Sequence, residues 1–287
     1  MRSRRSPALL VAAVVLLPAV AGACSDDDRA TTRPSAAQAV LVAAPERTID
    51  AGPARIAVNA AVQGQTRGTF AGDGAFDFRT GKGRLELDLG PLGLAGASRT
   101  EVLLDGDVVF LKLGGALPGL GSRPWVRIDL ATLTKGRGDG IEALRQLRAN
   151  DPRAVINLLR GATGDTERVG AGPVRDTDTT HYRATVDLDE AASSSPAALR
   201  DDLAEVARQL GTSKLPVEAW LDAGGRIRRL RYTIDLADLA DEAPAKGGGA
   251  GTVVATLELS DFGTEVSVSP PPPDQTTDLA ELLGGPR

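Results

Sequence analysis

Cysteine, histidine and aromatic side chains are nearly missing from these 287 residues: one cysteine (Cys24), one histidine (His181), and 3% Phe, Trp and Tyr together. Without a second cysteine there is no disulfide framework. A single histidine with no cysteine beside it cannot assemble a structural zinc site. By strand parity His181 falls on a polar face beside Arg183, which reads as a surface histidine and not a general base. Positive charge is also short. The formal net charge is −5, and subtracting Arg2, Arg4 and Arg5 of the N-terminal segment makes it −8. This excludes the clustered basic surface on which nucleic-acid binding depends. Reactive patterns fail in detail. Gly96-Ala97-Ser98 lacks the closing glycine of a nucleophile elbow, with Thr100 in its place. Thr80-Gly81-Lys82-Gly83 has Phe76 where a phosphate loop needs glycine, and no Ser or Thr follows the lysine. No catalytic or metal-binding residue is assigned, no cofactor is expected, and the chain reads as a non-enzyme.

Long apolar runs are missing as well. The longest, Ala8 to Val20, is broken by Pro18 and falls short of the roughly 20 residues that span a bilayer. It follows Arg2, Arg4 and Arg5 and leads into Ala21-Gly22-Ala23-Cys24. A basic start, a short apolar core and small residues at the cut form a secretory signal. A cysteine directly after the cut is the pattern of a bacterial lipoprotein, although Ala21 stands where leucine is commoner. Lipidation of Cys24 attaches two acyl chains, enough for stable anchoring; the alternative is a lone free thiol. The expected location is the extracytoplasmic face of the cell membrane, with the membrane itself as first partner.

What is present is alternation. Composition divides the chain into a signal peptide over 1–23, a flexible tether over 24–44, one folded domain over 45–269 and a Pro-rich tail over 270–287. Ile56, Val58, Ala60 and Val62 alternate with polar residues, as do Leu85, Leu87 and Leu89. Asp105-Gly106 marks a two-residue hairpin that puts Val102, Leu104, Val109 and Leu111 on the inner face, with Glu101, Phe110 and Lys112 on the other. Further strands run through Tyr182 to Leu188, Leu215 to Leu236 about a turn at Asp222 to Gly225, and Val253 to Leu259. A bulge at Gly225 would shift the pairing of that hairpin by one. Val266 and Val268 are expected to extend the sheet. Helical signals lie at Gln38 to Leu41, at Ile141 to Leu147, after Asp151-Pro152, after Ser195-Pro196 with a stripe of Leu199, Leu203, Val206 and Leu210 closed by Gly211, and at Leu279 to Leu282. Many antiparallel strands without strand–helix alternation predict an α+β domain whose helices bury their stripes against one face of the sheet.

Several of these stretches carry a resemblance. Asp151-Pro152 opening an apolar helix, Thr180-His181-Tyr182 entering a strand, Leu215-Pro216-Val217-Glu218-Ala219-Trp220-Leu221-Asp222 before Gly225-Arg226-Ile227, and Ser260-Asp261-Phe262-Gly263 with the following proline run resemble the LppX/LprG group of actinobacterial lipoproteins. That group is similar in fold to the Lol-system carriers. The resemblance implies a strongly curved antiparallel half-barrel with amphipathic helices on its concave face. It also implies an apolar cavity for acyl chains, and carriage of a lipid or glycolipid ligand across the envelope, with an envelope transporter as a further partner. The scarcity of aromatics and the Gly/Pro-rich stretch from Gly114 to Pro124 depart from the group. On this reading the inward residues Leu85, Leu87, Val102, Leu104, Val109, Leu111, Leu230, Tyr232 and Ile234 line the cavity. Val155, Leu158 and Leu159 face them from the helix after Pro152. Periodicity does not separate a hollow core from a filled one. The alternative is an anchored lipoprotein with a filled core that binds another envelope protein.

Overall fold

A computed structural model describes residues 34–64, 68–88, 99–113, 120, 123–130, 151–235 and 251–282. Among them lie twelve strands: β1 (Ala54–Gly64), β2 (Gly68–Asp77), β3 (Lys82–Leu87), β4 (Thr100–Asp105), β5 (Val108–Lys112), β6 (Trp125–Asp129), β7 (Glu167–Val174), β8 (Thr177–Asp187), β9 (Lys214–Leu221), β10 (Ile227–Asp235), β11 (Gly251–Ser260) and β12 (Thr276–Asp278). They form one curled, unclosed sheet in the order β12-β6-β5-β4-β3-β2-β1-β11-β10-β9-β8-β7. Two meanders, β1 to β6 and β7 to β11, are thus joined where β1 pairs antiparallel with β11. Only β12 runs parallel to its neighbour, β6.

The helices are α1 (Ala36–Asp50), α2 (Pro152–Asn157) continuing into a 3-10 turn (Leu158–Gly161), α3 (Leu188–Ser193), α4 (Ala197–Leu210) and α5 (Leu279–Leu282). Side chains close their starts. Ser35 accepts from the Gln38 N–H at 3.1 Å, Asp151 from Arg153 at 2.8 Å and Asp187 from Glu190 at 3.0 Å. Gly211 ends α4 at φ 61°, a left-handed conformation that glycine adopts without strain. None of the described helices is long and apolar enough to cross a membrane.

The structure departs from the sequence expectations in four places. The short helix expected through Gln38 and Leu41 runs as α1 over Ala36–Asp50, so residues 36–44 are not flexible tether, and Leu41 and Ala44 are fully buried; an alanine-rich segment gains that length from packing, which composition does not reveal. Leu188 leaves its strand to begin α3, because the Asp187 carboxylate caps a turn there. Ser195 does not cap α4; its hydroxyl donates to the Ala191 carbonyl at the end of α3, and Pro196 precedes α4 with no side-chain cap. Val266 and Val268 form no strand. Val268 instead packs against Leu103, Phe110 and Trp125, a small buried cluster on the outer face of β4, β5 and β6. The expected helix at Ile141 to Leu147 lies outside the described residues.

The tail also returns to the fold. After an extended proline run, β12 pairs with β6, and Arg127 holds Asp278 at 2.8 Å and Asp129 at 2.9 Å. Residues beyond Ser269 are therefore part of the sheet edge, and deleting them would remove a strand.

One main core unites the sheet's inner face with the helices. Ile56, Phe76, Val102, Ile128, Val186, Leu230 and Leu259 meet Leu41 of α1, Leu159 of the 3-10 turn, Leu188 of α3 and Leu203 of α4. The curl has a local cause in β2. A Cβ built on Gly74 would stand 2.1 Å from the Arg84 carbonyl oxygen and 2.8 Å from the Leu85 Cα; one on Gly72 would stand 2.2 Å from Leu87 Cδ2. These glycines share the inner face, where bending crowds neighbouring backbones, so only hydrogen side chains let β2 and β3 close up. Gly74→Ala should cost about 1–3 kcal/mol by forcing those backbones apart. Gly170→Ala, with nothing within 4 Å of its Cβ, should be close to neutral. Urea midpoints of the two variants check this; equal midpoints would remove the glycines as the cause of the curl.

Candidate ligand-binding site

On its central strands the inner face is sealed at one end and only half-buried at the other. At the sealed end the sheet turns tightly between β2 and β3, β4 and β5, β7 and β8, and β9 and β10; at the far end the connections run from Leu87 to Thr100, Lys112 to Trp125 and Asp235 to Gly251. Along β1, β2, β3, β10 and β11 accessibility follows this axis, whereas on β8 and β9 the far end is sealed as well, with Val186 at 0% and Leu215 at 2% where α3 begins. On β1, Ile56 is 2% exposed, whereas Val58, Ala60 and Val62 are only half-buried. β11 passes from Leu259 at 1% to half-buried Ala255 and Val253, and β10 from Leu230 at 0% to half-buried Tyr232 and Ile234. Phe70 and Leu87, inward on β2 and β3, are half-buried in the same zone. Four neighbouring central strands and β3 thus turn apolar side chains inward without packing them to completion. Close-packed interiors do not leave such a stripe.

Register defines its shape. Phe70 pairs with Ala60, Ala60 with Ala255, Ala255 with Tyr232 and Tyr232 with Val217. Two alanines therefore lie side by side between two aromatic rings that stand three strand spacings, about 14 Å, apart. The result is a trough along β1 and β11, with a low methyl floor and raised aromatic walls. One row toward the sealed end, Leu257 is 3% exposed and closes it.

Tyr232 brings the only polar atom of that row. Burial raises the pKa of its phenol, so it stays protonated at neutral pH. Its hydroxyl makes no hydrogen bond to any described residue.

The sealed end is held by charge. Asp222, at the turn between β9 and β10, is 8% exposed. It accepts from the backbone of Gly224 and Arg226 at 3.0 Å each, from Arg226 Nε at 2.8 Å and from Arg228 Nε at 2.9 Å. Burial alone would raise the Asp222 pKa, but the Arg226 N–H and the two guanidiniums outweigh it and hold the carboxyl below its ordinary range. Both arginines lie over the Phe262 ring, at 5.2 and 4.7 Å. The Ile227 N–H donates to Thr48 Oγ1 at 3.0 Å, and Thr48 Oγ1 donates to the Ala44 carbonyl at 2.7 Å, which pins α1 to the hairpin. The bulge expected at Gly225 falls between Ile227 and Arg229, so Ile227 and Leu230 both point inward, each fully buried.

Of the twelve sequence-selected lining residues, Leu87, Leu104, Leu111, Val155, Tyr232 and Ile234 are half-buried, while Leu85, Val102, Val109, Leu158, Leu159 and Leu230 are sealed. The 3-10 turn carrying Leu158 and Leu159 packs among α1, α3 and β8. Cys24 lies outside the described residues. Sequence reasoning missed Phe70, because Gly68, Gly72 and Gly74 interrupt the alternation that would have marked β2. It recognised the alternation of Ala60 and Ala255 but did not select them, since small residues look like filler until pairing sets them side by side.

His181 lies on the outer face as its parity predicts. It stacks on Trp220 at 4.1 Å with 4° between the planes, and its Nε2 is 2.8 Å from Glu218 Oε2. Arg229, on the strand flanking Trp220 opposite to that of His181, lies over the Trp220 ring at 5.3 Å and donates to Glu258. This is a cross-strand ladder with its partners already supplied.

No protein-family model matches the chain. An uncharacterised 31.2 kDa protein of Streptomyces griseus is 28% identical over 185 residues, which are 62% of this chain and 55% of that protein; the chain spans about half the length of this relative. Among solved structures, the lipoprotein LppX of Mycobacterium tuberculosis is similar over 80% of this chain and 99% of its own, with 16% identity and a TM-score of 0.45. LprF of Mycobacterium bovis is similar over 83% of this chain and 98% of its own, with 15% identity and a TM-score of 0.43. The architecture expected from the LppX/LprG resemblance, a curled antiparallel sheet with helices on its inner face, is the architecture found.

Proposed function

We propose that this protein is an envelope lipoprotein, anchored through Cys24 outside the cytoplasm, that shelters the acyl chains of a lipid or glycolipid in the inner trough and carries it between envelope sites. One observation carries the reading: the inner face is sealed at Ile56, Leu257, Leu259 and Leu230 and left unpacked at Ala60, Val62, Ala255, Val253 and Ile234, on the same strands and the same face. A hydrocarbon chain lying along β1 and β11 would cover those methyls and the inner sides of Phe70 and Tyr232. Leaving a bilayer for water costs an acyl chain about 0.8 kcal/mol per methylene. A trough of comparable apolarity makes the exchange nearly neutral, so the task needs no reactive residue and no cofactor. An envelope transporter is the natural donor or acceptor for such a carrier.

Native mass spectrometry of the full chain with Cys24→Ser, which removes the anchor's own acyl groups, should show co-purifying lipid. Repeated preparations without lipid, together with failure to bind a fluorescent fatty-acyl probe, would reject the carrier and leave a filled-core lipoprotein that binds another envelope protein.

A further inference from the structure

Three features outside the described chemistry can be weighed for a further role. The His181–Trp220–Arg229 ladder is satisfied internally by Glu218 and Glu258. Arg153 is held by both oxygens of Asp151, with Asp107 and Asp202 nearby in charge, and clasps α2 to the sheet's turns. The Tyr232 hydroxyl, in contrast, has no hydrogen-bond partner among the described residues, although the residue is half-buried.

A hydroxyl without a protein acceptor is satisfied by water while it is accessible and becomes costly once an apolar ligand covers it. Here the surrounding row offers only methyls: Ala255 and Val217 lie directly opposite on the two flanking strands, and Leu230 and Ile234 are its inward neighbours along β10. No neighbour in that row can accept a hydrogen bond. Tyr232 is half-buried and its hydroxyl is not sealed from solvent, and its register places it at the wall of the trough. When a saturated chain fills the trough it displaces water from that hydroxyl. A ligand that is hydrocarbon throughout would leave the O–H orphaned; one with a carbonyl at that depth would satisfy it.

Building on the carrier reading, we propose that Tyr232 is a specificity-determining residue: its hydroxyl donates to the carbonyl oxygen of an acyl ester, so the trough selects ester-linked acyl lipids over alkyl-ether lipids of equal length. The contact also fixes depth. The ester sits level with Ala255, its acyl chain runs over Ala60 and Val62, and the more polar part of the lipid remains toward the open end. The neutral phenol is suited to this, being a donor at every pH below its raised pKa.

The test compares two probes, a diacylglycerol and the dialkylglycerol ether with the same chain lengths, each displacing a fluorescent fatty-acyl reporter from the full chain carrying Cys24→Ser. The parent should bind the ester about tenfold more tightly than the ether, the worth of one neutral hydrogen bond. Tyr232→Phe keeps the ring and loses only the hydroxyl. It should lose the preference by weakening for the ester alone, with ether affinity and melting temperature unchanged. Equal affinities of the parent for both probes overturn the role of Tyr232 and leave the carrier standing. An equal loss for both probes in Tyr232→Phe also overturns it, as the mark of a purely structural residue. If neither probe displaces the reporter from the parent, the carrier reading and this one fall together.

Discussion

Ala255→Trp should empty the protein of lipid while leaving it folded. The indole would rise from the floor of the trough between Phe70 and Tyr232, into the space that two alanine methyls leave free. An aromatic side chain is well suited to a strand, and at a half-buried site it displaces ligand or water and does not overpack a core. Leu257→Trp, two residues along the same strand and the same face, is the control. Leu257 is 3% exposed, so added volume there must be absorbed by strain, typically about 1–3 kcal/mol. Co-purifying lipid and melting temperature measured on both variants separate the outcomes. The expected pattern is no lipid with a parental melting temperature for Ala255→Trp, and a lowered melting temperature for Leu257→Trp. If Ala255→Trp keeps its lipid, or melts as early as Leu257→Trp, the alanine row is ordinary core. Val102 and Leu159 would make poor probes, because at 3% and 0% exposure they test packing only.

The largest loss of stability should come from Asp222→Ala. Its carboxylate is buried under two arginines, and Arg228 is itself only 12% exposed in its side chain. Removing the acid leaves that guanidinium enclosed without its counter-charge, a defect worth about 3–5 kcal/mol. In a chain of this size that lowers the melting temperature by roughly 10 °C. Asp222→Asn retains an oxygen for the two backbone donors and should lose less. The pH dependence has a definite sign. The folded carboxyl lies below its ordinary value, so its contribution is fully present above the unfolded pKa of about 3.9 and is lost as pH falls through the folded value. Acid titration of stability should therefore be steeper in the parent than in Asp222→Asn below about pH 4. Identical acid profiles, or an Asp222→Ala protein that melts with the parent, would show that α1 and Phe262 hold this corner without the charge.

Much of the architecture was legible because it rests on local pattern. Alternation marks β1, β3, β8 and β11, Asp105-Gly106 marks the β4–β5 turn, Asp151-Pro152 marks the start of α2, and Gly211 marks the end of α4; each signal acts over a few residues. The elements that were missed or cut short owe their form to distant partners. Residues 36–44 are helical because Leu41 and Ala44 find the core, and Thr48 finds Ile227, 179 positions away. Thr276–Asp278 is a strand because β6 lends it an edge. Val268 looks like a strand residue but covers Phe110 and Trp125, an outer-face cluster that parity alone would give to solvent.

The sequence by itself determined an acidic α+β chain with one histidine and one cysteine, and the inward face of most strands, since side-chain direction in a strand follows from its period of two. Only the tertiary structure decided which inward residues are core and which are trough. Ile56 and Val62 obey the same alternation, yet one is sealed and the other is not. The difference lies in what the curled sheet and the helices bring against each of them. Burial is a property of that three-dimensional neighbourhood, and no periodicity along one strand encodes it.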